Sequence, residues 1–406
     1  MKRFLLTTTL MLSILLFALF SDKANEVSKP YIAKLIESNI DKNITIEIEE
    51  YKLDYDYITL LAKANQKNHI KLYGKFDALS QNFDLNYSID SIGEFIELKE
   101  INIPPNTPLH GNIKSKIKEN TALIDATAKS TIANLTLTNG KLNLETMELF
   151  SKFQVDIQEL KKLKFITKKE LNGRFEVTGE LTKKEKELLV IGSTNSFDGK
   201  INFTLKNDDL NASIESISVE KLFKTLDYPI VFTAPLSGDM IYNLKTKRGN
   251  INSTLKNAKL VPNKLTKLVK RFSHIDLTKE IYNQTTFNAK LYPKEIKFKL
   301  LAEGKRNKIS IYNAKLKQES KQIDAKYKIS INRAELGGTI KGDINSPHIS
   351  INGSRFIKKE VKSVLDKYIN REHQEKIESQ LKDFGINKED ANKAINRAEK
   401  FIKGFF

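Results

Sequence analysis

From Ile44 to about Asn332 apolar residues keep returning at every second position, and this period constrains the fold more than any other feature of the chain. Ile44, Ile46 and Ile48 alternate with Thr45, Glu47 and Glu49. The pattern recurs in Ile70 and Leu72, in Phe83 to Ile89, in Ile101 and Ile103, in Leu123 to Ala128 and in Phe175, Val177 and Gly179. Ile201, Phe203 and Leu205 continue it, as do Leu210 to Val219, Met240 to Leu244, Ile251 to Leu255, Phe287 to Leu291, Ile296 to Leu300, and Ile309 with Ile311. The segment IDAKYKISIN sets Ile323, Ala325, Tyr327 and Ile329 on a single side. Side chains alternate across a strand, so each run reads as a strand with one apolar and one polar face. Asn139-Gly140, Asn172-Gly173, Asp198-Gly199 and Gly337-Gly338 read as turns between them.

About eighteen strands of this kind need somewhere to hide an apolar face, and few helical segments are present to cover it. Ser218 to Leu226 and Lys264 to Phe272 are the internal ones, and a short helix from Ser28, with Pro30 in its first turn, precedes the strands. The sheet must fold onto itself, close into a barrel, or curl into a trough whose lining awaits a ligand. From about Ser354 the period becomes helical, with stripes through Phe356, Val361, Val364 and Tyr368 and, after Gly385, through Ala391, Ile395, Ala398 and Ile402. These lysine-rich amphipathic helices read as a lid on the end of the sheet, or as helices lying on a membrane.

The N-terminus is the most specific local signal. Lys2 and Arg3 precede an uncharged run in which Phe4, Leu5, Leu6, Leu10, Leu12, Ile14, Leu15, Leu16, Phe17, Leu19 and Phe20 supply the apolar surface. Its length just spans a bilayer, and the preceding positive residues keep its start cytoplasmic. A removed signal peptide is the competing reading, weakened because Leu19 and Asp22 stand where a cleavage site wants small residues. The expected organisation is therefore an anchor with flanks at 1–27, an exported β-domain at 28–353 and helices at 354–406.

Hydrophobic residues make up 40% and charged residues 29%, enough apolar material to fold and too much to be disordered. Zero Cys removes disulfides, thiolate metal sites and cysteine nucleophiles. The net charge of +18 attracts anions. Because the lysines are spread along strand-like runs, and not gathered on one face among aromatics, acidic head groups fit better than nucleic acid. His69, His110, His274, His348 and His373 are scattered singly, and no nucleophile elbow, phosphate loop or dinucleotide fingerprint is present. The carboxylates alternate with Lys on polar strand faces, which reads as solvation, not as a general acid and base. No catalytic residue, metal or cofactor is expected, and the chain reads as a non-enzyme.

Two stretches resemble the AsmA-like family: SVEKLFKTLDYPIVFTAPLSGDMIYNLKTKRGNINSTLKNAKL (Ser218 to Leu260), a short helix running into a glycine-marked hairpin, and GGTIKGDINSPHISINGSRFIKKEVKSVLDKY (Gly337 to Tyr368), similar to that family's closing strand pair and terminal helix. The anchor, small helix and strand series of residues 1–60 match as well. The resemblance implies a mainly β fold: an elongated, twisted, antiparallel repeating β-groove with a short N-terminal helix, C-terminal helices and a transmembrane anchor. It implies a single-pass protein of a bacterial inner membrane with its bulk in the periplasm, where a hydrophobic groove binds or conducts phospholipid acyl chains for outer-membrane biogenesis and envelope integrity. Phe175, Val177, Ile201, Phe203, Leu205, Ile323, Ala325, Tyr327 and Ile329 are the expected lining. Phospholipids and the inner membrane are the expected partners, with other envelope proteins as a further class. About eighteen strands at about 4.8 Å give a trough of roughly 85 Å, short of a periplasm's width, so such a groove calls for a partner or an oligomer. The alternative from the same sheet is a non-transporting envelope scaffold or assembly factor with the apolar face packed shut against itself.

Overall fold

A computed structural model describes residues 21–351 apart from 40–43, 78–79, 81, 93–105, 117–118, 168, 274 and 332–333. The described residues are mainly β, with 21 strands. The expected anchor at 4–20, the strand around Ile101 and Ile103 and the helices at 354–406 lie outside them. Among the described residues no helix is long and apolar enough to cross a membrane. The chain divides into two compact units, with the boundary between Thr194 and Asn195.

The described part of the first unit opens on α1 (Asp22–Asn39). The expected start of this helix is Ser28, but the capping is done by Ser21, whose Oγ accepts from the Ala24 N–H at 3.2 Å. The expected boundary after residue 27 therefore falls inside a helix. Ser28 instead donates its hydroxyl to the Ala24 carbonyl at 2.7 Å, and Pro30 stands in the helix interior, costing one intrahelical hydrogen bond. Ten strands follow: β1 (Ile46–Leu53), β2 (Tyr57–Ala64), β3 (Asn68–Asp77), β4 (Asn82–Ile89), β5 (Leu109–Lys116), β6 (Thr121–Lys129), β7 (Asn134–Asn143), β8 (Leu149–Ile157), β9 (Phe175–Lys184) and β10 (Glu187–Thr194). Each pairs antiparallel with its neighbour in the chain. A short helix, α2 (Lys164–Thr167), interrupts the series between β8 and β9.

A sheet that starts at β1 has an open edge of unpaired backbone groups. Helix α1 covers it with polar side chains. The Leu53 N–H donates to Asn25 Oδ1 at 3.2 Å, the Ile46 N–H to Glu37 Oε1 at 2.7 Å, and Lys29 Nζ to the Glu49 carbonyl at 3.0 Å. Ala33 and Ile36 of the same helix pack on Ile44, Ile46, Ala62 and Ala64.

The second unit contains β11 (Lys200–Lys206), β12 (Asp209–Ser218), α3 (Val219–Thr225), β13 (Phe232–Thr233), β14 (Pro235–Asn243), β15 (Arg248–Leu260), α4 (Lys264–Ser273), β16 (Tyr282–Leu291), β17 (Glu295–Gly304), β18 (Asn307–Lys317), β19 (Gln322–Ile331), β20 (Ala334–Asp343) and β21 (His348–Ile351). Here the ladder skips β13: β12 pairs with β14, and β13 pairs with the far end of β15. Both helices fall where the sequence puts them. Ser218 caps α3, accepting from the Lys221 N–H at 3.3 Å. Asn263 and Thr266 cap α4 reciprocally, each side chain accepting from the other's N–H, at 3.0 and 2.9 Å.

Two of the expected turns are not turns. Asn139-Gly140 lies inside β7, where the register shifts between Thr138 and Lys141 and Asn139 takes a φ of 54°. An Asn–Gly pair supplies the left-handed residue that a β-bulge needs as readily as the one a hairpin needs. Gly337-Gly338 lies inside β20, for a reason given by its neighbour Tyr327 below.

Candidate functional site: the apolar face of the ladders

Register sets the apolar residues of each unit into continuous rows that cross the strands. In the first unit one row runs through Ile70, Ile89, Leu109, Ala128, Leu135, Val155 and Val177, from β3 to β9. Beside it, two residues along each strand, runs Leu72, Tyr87, Gly111, Ala126, Leu137, Phe153 and Gly179. Every member larger than alanine in these two rows is only half-buried. Among the described residues of this unit, a buried cluster lies under α1, at its first strands.

The second unit carries four parallel rows whose burial changes along the strands. The row Ile217, Leu236, Leu255, Thr285, Ala302, Ile309, Ile329 and Leu336 is buried throughout. It belongs to one core that includes Val219 of α3 and Leu268 and Val269 of α4. The next row runs from Ile201 through Ile214, Phe287, Leu300 and Ile311 to Tyr327, passing from half-buried to fully buried. A third starts at Phe203 and passes through Met240, Ile251 and Phe298, all half-buried, with buried alanines between them. The last joins Leu205, Leu210, Tyr242, Leu291, Ile296, Leu316 and Ile323, and all but Leu316 keep solvent contact. Helices close one end of the strands and leave the other end partly open.

The expected lining therefore separates. Val177 and Phe175 stand on the half-buried face of the first unit, and Ile201, Phe203, Leu205 and Ile323 on half-buried rows of the second. Ala325, Tyr327 and Ile329 do not line an open surface: they are 1%, 0% and 0% exposed. Period two identifies the face of a strand but not how far along it a neighbouring helix reaches, and α4 (Lys264–Ser273) lies far before β19 (Gln322–Ile331) in the chain. Phe153, Val155, Met240 and Phe298 belong to the same rows and are not among the expected lining, although Met240 and Phe298 stand in runs that the sequence marks as alternating. The alternation of Phe153, Val155 and Ile157 was available as a signal.

Glycines meet aromatic rings directly across the ladder at four places: Tyr87 with Gly111, Phe153 with Gly179, Tyr242 with Gly249 and Tyr327 with Gly338. A Cβ on Gly338 would stand 2.8 Å from the Tyr327 ring, and one on Gly111 2.6 Å from the Tyr87 hydroxyl oxygen. Glycine lets the ring lie flat over the next strand. Two of these tyrosines then reach the strand beyond, Tyr87 donating to the Asp125 carbonyl at 3.0 Å and Tyr327 to the Ser350 carbonyl at 3.1 Å. Burial pushes the Tyr327 phenol well above its usual range, so it stays a donor.

The opposite face is charged and wet. Lys114 meets Asp84 at 2.8 Å, and its ammonium, with the Asn112 amide, holds that carboxyl below the usual range. Lys328 meets Glu335 at 2.8 Å. Such exposed pairs are worth about 0–1 kcal/mol each and mainly mark which side faces water. His69, which has no evident partner in the sequence, meets Asp90 at 2.8 Å. His274 and His373 lie outside the described residues. Among the described residues no group of three or more His, Asp or Glu is arranged to hold a metal ion.

Comparison of the chain with protein-family models, with curated proteins and with solved structures returns no match. The class of protein defined by fold and site is thus a mainly β chain, antiparallel in every pairing among the described strands, whose ladders each carry a graded apolar face.

Proposed function

We propose that this chain is a phospholipid-binding protein of the bacterial envelope, of the AsmA-like type. It is anchored in the inner membrane by residues 4–20 and holds acyl chains against the half-buried rows of its ladders, moving lipid toward the outer membrane. The observation that carries the reading is the pair of apolar rows from β3 to β9, continuous across seven strands, in which every member larger than alanine is only half-buried. Such a face stabilises an acyl chain by about 0.8 kcal/mol per methylene withdrawn from water, while the head group stays hydrated. Binding of this kind breaks no bond and asks for no catalytic residue, metal or cofactor.

The test is photocrosslinking in the full-length protein in its native membrane, with a benzophenone amino acid at Phe153 or Leu205 and, as outward controls, at Gln154 or Lys206. Phospholipid adducts at the first pair and none at the second support the groove. Absence of adducts at all four positions, with no phospholipid co-purifying, would favour the envelope scaffold. The closed row from Ile217 to Leu336 is the feature that fits a scaffold best.

A further inference from the structure

Helix α1 buries one side and exposes an apolar stripe on the other. Val27 is 66%, Tyr31 72% and Leu35 64% exposed. Spaced four apart, they drift about 40° per step and form one outward stripe. The helix cannot rotate to hide it, because Asn25, Lys29 and Glu37 on the opposite side are hydrogen-bonded to the edge of β1. At about 100° per residue, Lys23 and Lys34 fall next to Val27 in the same sector, and both are exposed. Asp22 and Glu26 fall outside that sector, and Glu26 is paired with Lys29 at 2.6 Å.

Chain length says what can reach this stripe. The apolar run ends at Phe20 and the helix begins at Asp22, so two residue steps, about 7 Å, separate the first turn from the end of that run. If residues 4–20 span a bilayer, α1 starts in the head-group layer. A helix of 18 residues is about 27 Å long and can lie along that layer. Apolar residues with lysines at their margin and no carboxylate among them match a surface that is apolar below and anionic at the phosphates.

We propose that α1 lies on the surface of an anionic phospholipid bilayer, with Val27, Tyr31 and Leu35 at the acyl boundary and Lys23 and Lys34 beside the phosphates, so that the β1 edge of the first ladder is held against the membrane. The inference rests on the reading of residues 4–20 as an anchor. It adds where the ladder starts: its first strands sit where lipid is available.

The chain has no Cys, so single cysteines can be placed without background. Full-length protein carrying an environment-sensitive fluorophore at position 12, 27, 31, 35, 26 or 326 would be reconstituted into phosphatidylethanolamine–phosphatidylglycerol vesicles with brominated acyl chains. The expected result is strong quenching at 12, 27, 31 and 35 and none at 26 or 326. Exchange of phosphatidylglycerol for phosphatidylcholine should weaken quenching at 31 and leave that at 12 unchanged. Quenching at 12 without quenching at 27, 31 and 35 would overturn the inference, keep the anchor, and assign the stripe to another protein surface. No quenching at 12 would overturn both.

Discussion

Phe203 and Tyr327 occupy adjacent rows of the second unit, and a carboxylate introduced at each should have opposite consequences. Tyr327 is fully buried and donates to the Ser350 carbonyl. Removing an aromatic side chain from such a site costs about 3–5 kcal/mol. Leaving an unpaired buried carboxylate in its place costs several more. Together these reach the whole stability of an ordinary domain, about 5–15 kcal/mol, so Tyr327→Asp should unfold the strands around β19. Phe203 is only half-buried. Of the roughly 3 kcal/mol that full burial of its ring would contribute, Phe203→Asp forfeits about 1–2 kcal/mol, and the new carboxylate stays in contact with water. At about 2–4 °C per kcal/mol, the melting temperature should fall by about 2–8 °C. Asn211→Asp, on the exposed face of β12, is the control. Asn202 is a poor one, since its amide already meets Glu215 at 3.3 Å. Thermal unfolding by circular dichroism and co-purified phospholipid by mass spectrometry are read on the same preparations. A folded Phe203→Asp protein that has lost its lipid is the expected outcome. If Phe203→Asp unfolds as Tyr327→Asp does, the row is a closed core and the groove reasoning fails.

Gly111→Val and Gly338→Val should each destabilise by about 3 kcal/mol or more, measured by urea unfolding, because the added carbon atoms meet a backbone carbonyl as well as the tyrosine ring. Tyr327→Phe, which removes only the hydroxyl, should cost about 1 kcal/mol. Asp276 is held down to about 2 by hydrogen bonds from the Thr278 hydroxyl and from Lys270. A depressed carboxylate contributes stability that is complete above its unfolded value near 4 and is lost as pH falls through about 2, so Asp276→Asn should flatten the acid limb of a stability–pH curve between those limits. Full-length protein should stay in the membrane fraction after carbonate washing, with a reporter fused after Phe406 active outside the cytoplasm; a shortened soluble form would show instead that residues 1–20 are a removed signal.

Much of the fold was legible because one period governs most of it. The runs at Phe175, Ile201, Phe287 and Ile323 are strands, and the faces assigned to them are the faces that pack. Ser218 and Lys264 mark real helix starts, since capping chemistry is local. What escaped the sequence depends on partners distant in the chain. Gly337-Gly338 looks like a turn until Tyr327 is seen lying over Gly338, and Asn139-Gly140 until the shifted register of β7 is known. The burial of Tyr327 and Ile329, identical in pattern to the half-exposed Ile323 on the same strand, comes from the core shared with α4. The exposed stripe of α1 was concealed because Pro30 and Ser28 suggested a later start.

The pairing of each strand with its neighbour in the chain also governs how such a molecule is built and lost. With β13 as the only excursion among the described strands, hydrogen-bonded partners are close in sequence, and each ladder is nearly one-dimensional. Closing a hairpin fixes a short loop, so each ladder can nucleate at many points and zip outward, which favours fast folding for ladders of this length. Losses then begin at the ends of a ladder: amide exchange should be slowest toward β16 to β18, with α1 slowing the β1 edge it covers. A ladder of this type can lengthen or shorten by one hairpin while every remaining strand keeps its register and its inward face.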